Sequence, residues 1–441
     1  MLRLAAPAAL VFLGQMTMGF TGIVALGRVS APAVSAAGMG ASVFGWFMVF
    51  GLGILSSLDF FVSHANGAGR KETGYEFFIQ GLIIAAAVSI PLITGIAFLS
   101  YNLDWFGTNP DLIPDAASFL RILSFSMPLV LLYSVCRQYL QAYSVIVPTV
   151  ITLIGANVLN AFLTWIFVFG KFGLAPMGAE GSAWSILISR VILFIALAAY
   201  LLNWDRQKGG ALIGRVQIAF DRAKSVSILK LGLPAALQMV IEVGVFAIVT
   251  MLSASLDANS AAAHQIVLNA VSMTFMVPLG ISSAAAVLVG RETGKENYAE
   301  AARMGWRALK IGAGFMAASG IVLAVFPSSV LAIYTHDAVI ARAAGSIILI
   351  GALFQLFDGV QVVATGVLRG IAETRKPMIA NLVCYWFLGL PLGWWLCFRN
   401  NSGIAGLWAG LAIAIAAISI WLLAVWIFSS RSLFLKSHQR L

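Results

Sequence analysis

Apolar positions in this chain gather into runs of twenty or more residues, separated by short polar or Gly/Pro clusters. Each run is long enough to cross a hydrocarbon layer about 30 Å thick. The runs do not alternate apolar with polar, which counts against an outer-membrane barrel. About twelve helical spans are predicted, at 4–27, 36–63, 77–100, 117–140, 146–170, 181–203, 228–255, 261–290, 306–333, 343–366, 378–398 and 404–428. The first apolar stretch, from Leu4 to Leu26, exceeds a signal-peptide core and is read as a spanning helix. The expected fold class is therefore all-α, a polytopic membrane protein.

Composition agrees with this pattern. Of 441 residues, 61% are hydrophobic and only 10% charged, against about 25% charged in a soluble domain. The net charge of +10 would suit nucleic acid only if it formed a patch on a soluble surface. Instead the basic residues sit in the short connectors, so no nucleic-acid partner is expected. With a cytoplasmic N-terminus, 21 of the 27 Lys and Arg fall on the inside. They include Arg3, Arg70, Arg137, Arg206, Arg215, Lys230, Arg291, Arg369 and Arg440. The positive-inside bias then places both termini in the cytoplasm. Cys136, Cys384 and Cys397 form neither a CxxC pair nor an even framework and are read as packing residues.

The chain also repeats itself. The stretch from Arg3 to Leu10 reads against that from Lys230 to Leu237, 227 residues on. Further on, Gly69-Arg70 answers Gly294-Lys295, Leu140 answers Leu368, and Gly178-x-x-Gly181 answers Gly403-x-x-Gly406. Two six-helix lobes follow, 1–212 (with the start of the connector) and 213–441. An even number of spans per repeat inserts both halves the same way up, related by an axis along the membrane normal.

Most acidic residues fall in loops, but Glu242 and Asp358 do not. Glu242 lies twelve residues beyond Lys230, hence about 18 Å from the cytoplasmic end at 1.5 Å per residue. Asp358 precedes Arg369 by eleven residues, a depth of about 16 Å from the same side. Each carboxylate costs at least roughly 2.5–3.5 kcal/mol to place there, so the chain is expected to need them. Burial and like-charge proximity disfavour an ionised carboxyl, which suits such a pair to carrying a proton. Their oxygens equally suit a hard cation such as Na⁺. Asp59 is expected to pair with Arg70 at the interface. Arg190, within span six, is expected to form a structural ion pair or face an aqueous cavity rather than bind substrate. His264 is read as a satisfied helix-end histidine. Met239, Phe246, Met273, Phe275, Met276, Phe354 and Phe357 lie near the acids. Adaptable Met and aromatic faces would suit a pocket for organic cations, although packing is the expected role of most. The segment from Gly290 to Lys295 resembles a P-loop one residue short, with Glu296 where Ser/Thr is required, so no nucleotide site is expected there.

Several stretches together resemble the multidrug and toxic-compound extrusion (MATE) family, most closely its NorM-type bacterial branch. They are Asn66 to Arg70, Arg137 to Ala142 with Pro148, Gly178 to Trp184, Ala263 to Ile266 with Asn269, Gly290 to Asn297, and Phe354 to Gln361 leading to Gly370. The resemblance implies a secondary antiporter of the bacterial inner membrane, functional as a monomer. It would export small organic cations in exchange for Na⁺ or H⁺, with no cofactor and no enzymatic activity. Glu242 and Asp358 match the family's cation-site carboxylates. Gln265 and Asp337 match positions of substrate or ion contact near the outer mouth, and Asn160 matches a polar position of span five. One departure is Gly22, where that branch usually carries a span-one aspartate; His64, where Gln is common, is another. By the repeat, Gln15 is the counterpart of Glu242, an uncharged group in the first lobe. The alternative is a flippase for lipid-linked saccharides, which would be expected to line its cavity with Arg and Lys.

Overall fold

The computed structural model describes residues 1–106, 110–208 and 220–438. Arg215, Arg440 and the 212/213 lobe boundary lie outside the described residues. The first series of helices is α1 (Leu2–Leu26), α2 (Ala31–Leu55), α3 (Leu58–Gly67), α4 (Lys71–Ser100), α5 (Ile113–Ser124), α6 (Met127–Ala142), α7 (Val147–Phe169) and α8 (Gly178–Gln207). The second comprises α9 (Arg222–Ala254), α10 (Ala258–Gly294), α11 (Tyr298–Val325), α12 (Pro327–Tyr334), α13 (Ala338–Arg369), α14 (Arg375–Arg399) and α15 (Gly403–His438). No strand occurs among the described residues. Among the described residues, eleven helical stretches are long and apolar enough to cross a membrane, and the α5–α6 pair, bent by 41°, makes twelve.

The helices overrun the apolar runs because membrane helices continue into capped polar ends. Asp257, Asn297 and Asp337 cap α10, α11 and α13 through side-chain oxygens that accept backbone N–H groups, satisfying donors that a helix start leaves free. Gly290 to Gly294 is likewise the last turn of α10 rather than a loop, with Glu292 bridged to Lys295 at 2.8 Å. Span two is interrupted at Ser56 and Ser57, whose hydroxyls bond back to Gly53 O and Ile54 O at 2.7 and 3.0 Å. Such back-bonding competes with the helix ladder and bends it. Asp59 then sits in the first turn of α3, only 2% exposed, whereas Arg70 is exposed beyond its end. The expected interfacial pairing is corrected: Asp59 lies inside the packing.

Residues Leu10–Ala236 pack as one compact unit, the N-unit, and Met1–Ala9 with Leu237–Leu441 as a second, the C-unit. Thus α1 and α9 each begin in one unit and continue in the other. The repeat is visible in this exchange. In the N-unit a Cβ on Gly53 would strike Ala236; in the C-unit one on Gly280 would lie 2.5–2.8 Å from Ala9 backbone and side chain. Both partners in the second contact lie 227 residues from those in the first. Left-handed residues recur too: Gly69 with Glu296 at 227, Ser144 with Ala372 at 228, Gly178 with Gly403 at 225. The backbone therefore aligns Gly69 with Glu296, two residues beyond the Gly294 that sequence identity selects, because both fill the same positive-φ turn.

In the C-unit, α13 packs against α10, α11 and α15. Gly389 and Gly393 of α14 face Gly410 of α15, where a Cβ would lie 2.6 Å from Gly389 O, and Gly406 of α15 meets the α14 backbone at Leu396 and Cys397. Small residues four apart allow such close approach. Around Pro391, α14 winds more widely: Leu390 N–H donates to Tyr385 O, five residues back. A proline supplies no N–H and crowds the preceding turn.

Filling the exchanged contacts tests the repeat. Gly53→Val and Gly280→Val should each cost roughly 1–3 kcal/mol or more, the range for overpacking. Gly314→Ala, where nothing lies within 4 Å of a new Cβ, should leave stability unchanged or raise it by up to about 1 kcal/mol through helix propensity. Thermal unfolding of the purified protein in detergent measures all three.

Candidate functional site: a carboxylate cluster in the C-unit

Glu242 is carried by α9 and Asp358 by α13. On α13 the positions Phe354, Asp358, Gln361 and Thr365 follow one another at four, three and four residues and so share a face. Gln361 Nε2 donates toward Glu242 Oε2 at 3.4 Å and toward Asn381 Oδ1 at 3.4 Å. Asn381 is itself fixed by donating to Pro377 O at 2.9 Å. Gln361 thereby links three helices, α9, α13 and α14. The Glu242 and Asp358 carboxylates are close enough to interact through their charges, and both interact with Tyr385 of the wide-wound part of α14.

Among the described residues, Asp358 is 3% exposed and has neither a hydrogen-bond nor an ion-pair partner. No Lys or Arg bridges to Glu242 either; the ion pairs lie elsewhere, as in Lys224–Glu76 and Arg307–Glu300. The buried atoms Gln361 Oε1, Gln355 Oε1 and Tyr385 Oη also lack partners. Buried polar atoms normally find one. Two carboxylates with an amide oxygen and a phenol oxygen nearby form an oxygen-only set. Such a set suits protons and hard cations rather than thiolate- or imidazole-seeking metals.

Aromatic rings run on from the cluster. Tyr385 and Phe246 meet edge-on at 6.3 Å, Phe246 and Phe354 at 6.2 Å, Phe354 and Trp408 at 6.1 Å, and Trp408 and His264 at 5.8 Å. His264 ends the row fully buried and fully satisfied. Trp408 Nε1–H donates to its Nδ1 at 3.2 Å, and its Nε2 meets Thr250 Oγ1 at 2.9 Å. Indole nitrogen only donates, so Nδ1 is the acceptor and Nε2 carries the proton.

The other candidates spread out. Phe354 lies at the cluster. Phe275, half-buried on α10, joins no ring pair among the described residues. Gln265 is exposed, its carbonyl accepting from Asn269. Asp337 is the exposed N-cap of α13. Gln15 and Asn160 belong to the N-unit. Asn160 is fully buried with both amide atoms unpartnered, and Gln15 lines a cavity with Arg190. A Cβ on Gly22 would run into Ser182 Oγ, so an aspartate at this position needs that serine to move. Sequence reasoning missed Gln361, Asn381 and Tyr385 as site groups. The one-turn spacing from Asp358 was a usable signal for Gln361. The widened winding that presents Tyr385 left no trace in periodicity.

Fold and cluster together define a polytopic, internally repeated helical membrane protein with an acidic, oxygen-lined site buried among its apolar helices. The chain belongs to the MatE family, whose model matches twice, at residues 7–166 and 234–395. The two matches start 227 residues apart, at the repeat distance. It is 33% identical over 437 residues to a probable multidrug resistance protein NorM of Mesorhizobium japonicum, covering 98% of this chain and 93% of that protein. It is 33% identical over 433 residues to the multidrug resistance protein NorM of Burkholderia vietnamiensis, covering 97% and 92%. A crystal structure described as MATE in the bent conformation shares the fold, with TM-score 0.90 at 17% identity over 99% of this chain and 96% of that one.

The cluster makes a contrast measurable by unfolding. Tyr385→Phe removes a buried hydroxyl that has no partner and should change stability by no more than about 0.5 kcal/mol, or raise it. His264→Phe breaks two hydrogen bonds and orphans the Trp408 N–H, which should cost roughly 1–3 kcal/mol.

Proposed function

We propose that this protein is a secondary antiporter that exports small organic cations in exchange for Na⁺ or H⁺, coupled at Glu242 and Asp358. The observation that carries the reading is the pair itself: two carboxylates on different helices, Glu242 held by Gln361 of the helix that carries Asp358, without a basic partner among the described residues. Membrane-depth carboxylates without a cation beside them are costly, and a transported cation supplies the missing charge. The relatives' names point to multidrug resistance, which supports transport of varied compounds and does not favour a saccharide-lipid flippase.

The mechanism follows from competition for one negative charge. Facing outward, the cluster takes up the coupling ion, which neutralises the carboxylates and releases the organic cation. Facing inward, the ion leaves and the charge returns for the next cation. Coupling arises because each ligand favours a different state. The aromatic row from Tyr385 to Trp408 offers π faces for a cation's apolar body. The oxygen set near Glu242 and Asp358 has the donor chemistry that Na⁺ and protons share. The protein acts as a monomer in the inner membrane with both termini in the cytoplasm, the orientation that the basic connectors favour.

Ethidium efflux from everted vesicles, under separately imposed Na⁺ and pH gradients, tests the coupling. Glu242→Gln and Asp358→Asn should each lower gradient-driven efflux by at least about 10-fold while expression is retained; ordinary efflux in both variants would end the proposal. Orientation has its own test. A C-terminal green fluorescent protein fusion should fluoresce and a C-terminal alkaline phosphatase fusion should be inactive, and the reverse pattern would invert the topology.

A further inference from the structure

The N-unit holds a cavity of about 60 Å³ whose lining includes Gln15, Met18, Met48, Tyr133, Leu153 and Arg190. Roughly 10–15 Å³ by this kind of measure already admits one water, so there is room for a small group. Arg190 is the only charged side chain in this lining. Its Nη1 donates to Ser126 Oγ at 2.6 Å and its guanidinium lies 5.0 Å from the Phe44 ring centroid. Of the two arrangements expected for Arg190, the ion pair is absent, since among the described residues no carboxylate meets it, and the side chain lines a cavity instead. Tyr133 is 2% exposed, and its buried hydroxyl has no partner.

The repeat gives this cavity a second meaning. Gln15 is the counterpart of Glu242, 227 residues on. At the 228-residue offset fixed by Ser144 and Ala372, Val130 corresponds to Asp358 and Tyr133 to Gln361, and both line the cavity. At the 225-residue offset fixed by Gly178 and Gly403, Arg190 corresponds to Ile415, which is fully buried. The N-unit thus holds the repeat equivalent of the carboxylate cluster, with both acids replaced by uncharged groups and an arginine added. Its polarity is reversed.

We infer that this cavity binds a singly charged anionic group, either the carboxylate of an organic solute or a halide. An unpaired guanidinium among methionine, leucine and aromatic side chains lacks a counter-charge, and leaving it so is costly. One cation balances one negative charge, which excludes dianions such as sulfate. Apolar walls favour a weakly hydrated anion. A guanidinium presents five N–H donors, and among the described residues only the one to Ser126 is committed to a protein oxygen. The remainder match the two oxygens of a carboxylate, with the Tyr133 hydroxyl as an additional donor. The inference stands on the N-unit alone and does not depend on cation coupling in the C-unit.

Equilibrium dialysis of the purified full-length protein in detergent, with radiolabelled benzoate or chloride and sodium sulfate fixing the ionic strength, tests it. Saturable binding of benzoate is expected, weakened at least about 10-fold in Arg190→Gln and about 3- to 10-fold in Tyr133→Phe. Binding of chloride alone, with the same dependence on these residues, supports the site and makes its occupant a halide. Tyr133→Phe carries the test if Arg190→Gln does not fold. Saturable binding of neither ion, or binding that a folded Arg190→Gln leaves unchanged, overturns the inference. If only Tyr133→Phe folds, unchanged binding in that variant does so too.

Discussion

The C-unit is organised around carboxylates that, among the described residues, no cation of the protein neutralises. Glu242 and Asp358 lie on α9 and α13, and the side chains that reach between these helices, Gln361 to Glu242 and Gln238 to Thr365, do so through long 3.4 Å hydrogen bonds. Bonds of that length are weak. The arrangement therefore holds the carboxylates in place without neutralising them. Had Lys230 or Arg369 reached the pair, the charge would be settled within the protein, and a transported ion would have nothing to add. The same logic accounts for the unpartnered oxygens of Gln361, Gln355 and Tyr385, which would count as defects in a core built only for packing.

Around this unsettled centre the packing is close and largely aromatic. His264, Trp408, Phe354 and Phe246 form a continuous row whose polar atoms are used up at the histidine end, leaving the acceptors at the Tyr385 end. Close glycine contacts between α14 and α15 let the backbones nearly touch, and the wide winding around Pro391 places Tyr385 where regular helix geometry would not. Strong helix–helix contact on one side and an unsatisfied polar face on the other is what a site needs if binding energy is to move helices rather than be lost to local settling.

Much of this was legible in the sequence. Run length found every span, because a helix buried in lipid has little choice of composition. Counting residues from Lys230 and Arg369 put Glu242 and Asp358 at one depth, since rise per residue is nearly fixed. Features set by side-chain competition or by local winding stayed hidden. The break at Ser56–Ser57 depends on hydroxyls choosing backbone carbonyls, and Tyr385 depends on turns wider than 3.6 residues. Gly69 was matched to Gly294 by identity, while the backbone matches it to Glu296 by φ, which sequence comparison does not see. Asp59 was placed at the interface with Arg70 by its distance from the connector, which does not reveal that its side of α3 is packed against neighbours. For Arg190 the sequence left an ion pair and a cavity-facing position open, because either lowers the cost of a charge at that depth; the structure supplies the cavity.

The repeat explains why that expense is informative. Duplicated halves begin with the same residues at the same places, and contacts such as Gly53 with Ala236 and Gly280 with Ala9 retain that identity because a side chain at either glycine would part the helices. Polar positions face no such steric limit and are free to diverge. Gln15 against Glu242, Val130 against Asp358 and Arg190 against Ile415 are changes of charge within a conserved backbone frame. A change that merely lost function would leave an apolar patch, as valine does. Adding an arginine goes the other way, since it brings a desolvation cost that apolar packing never incurs. Two equivalent frames with opposite charge are what the two proposals need: a cation for the carboxylates, and for Arg190 an anionic group that completes its charge.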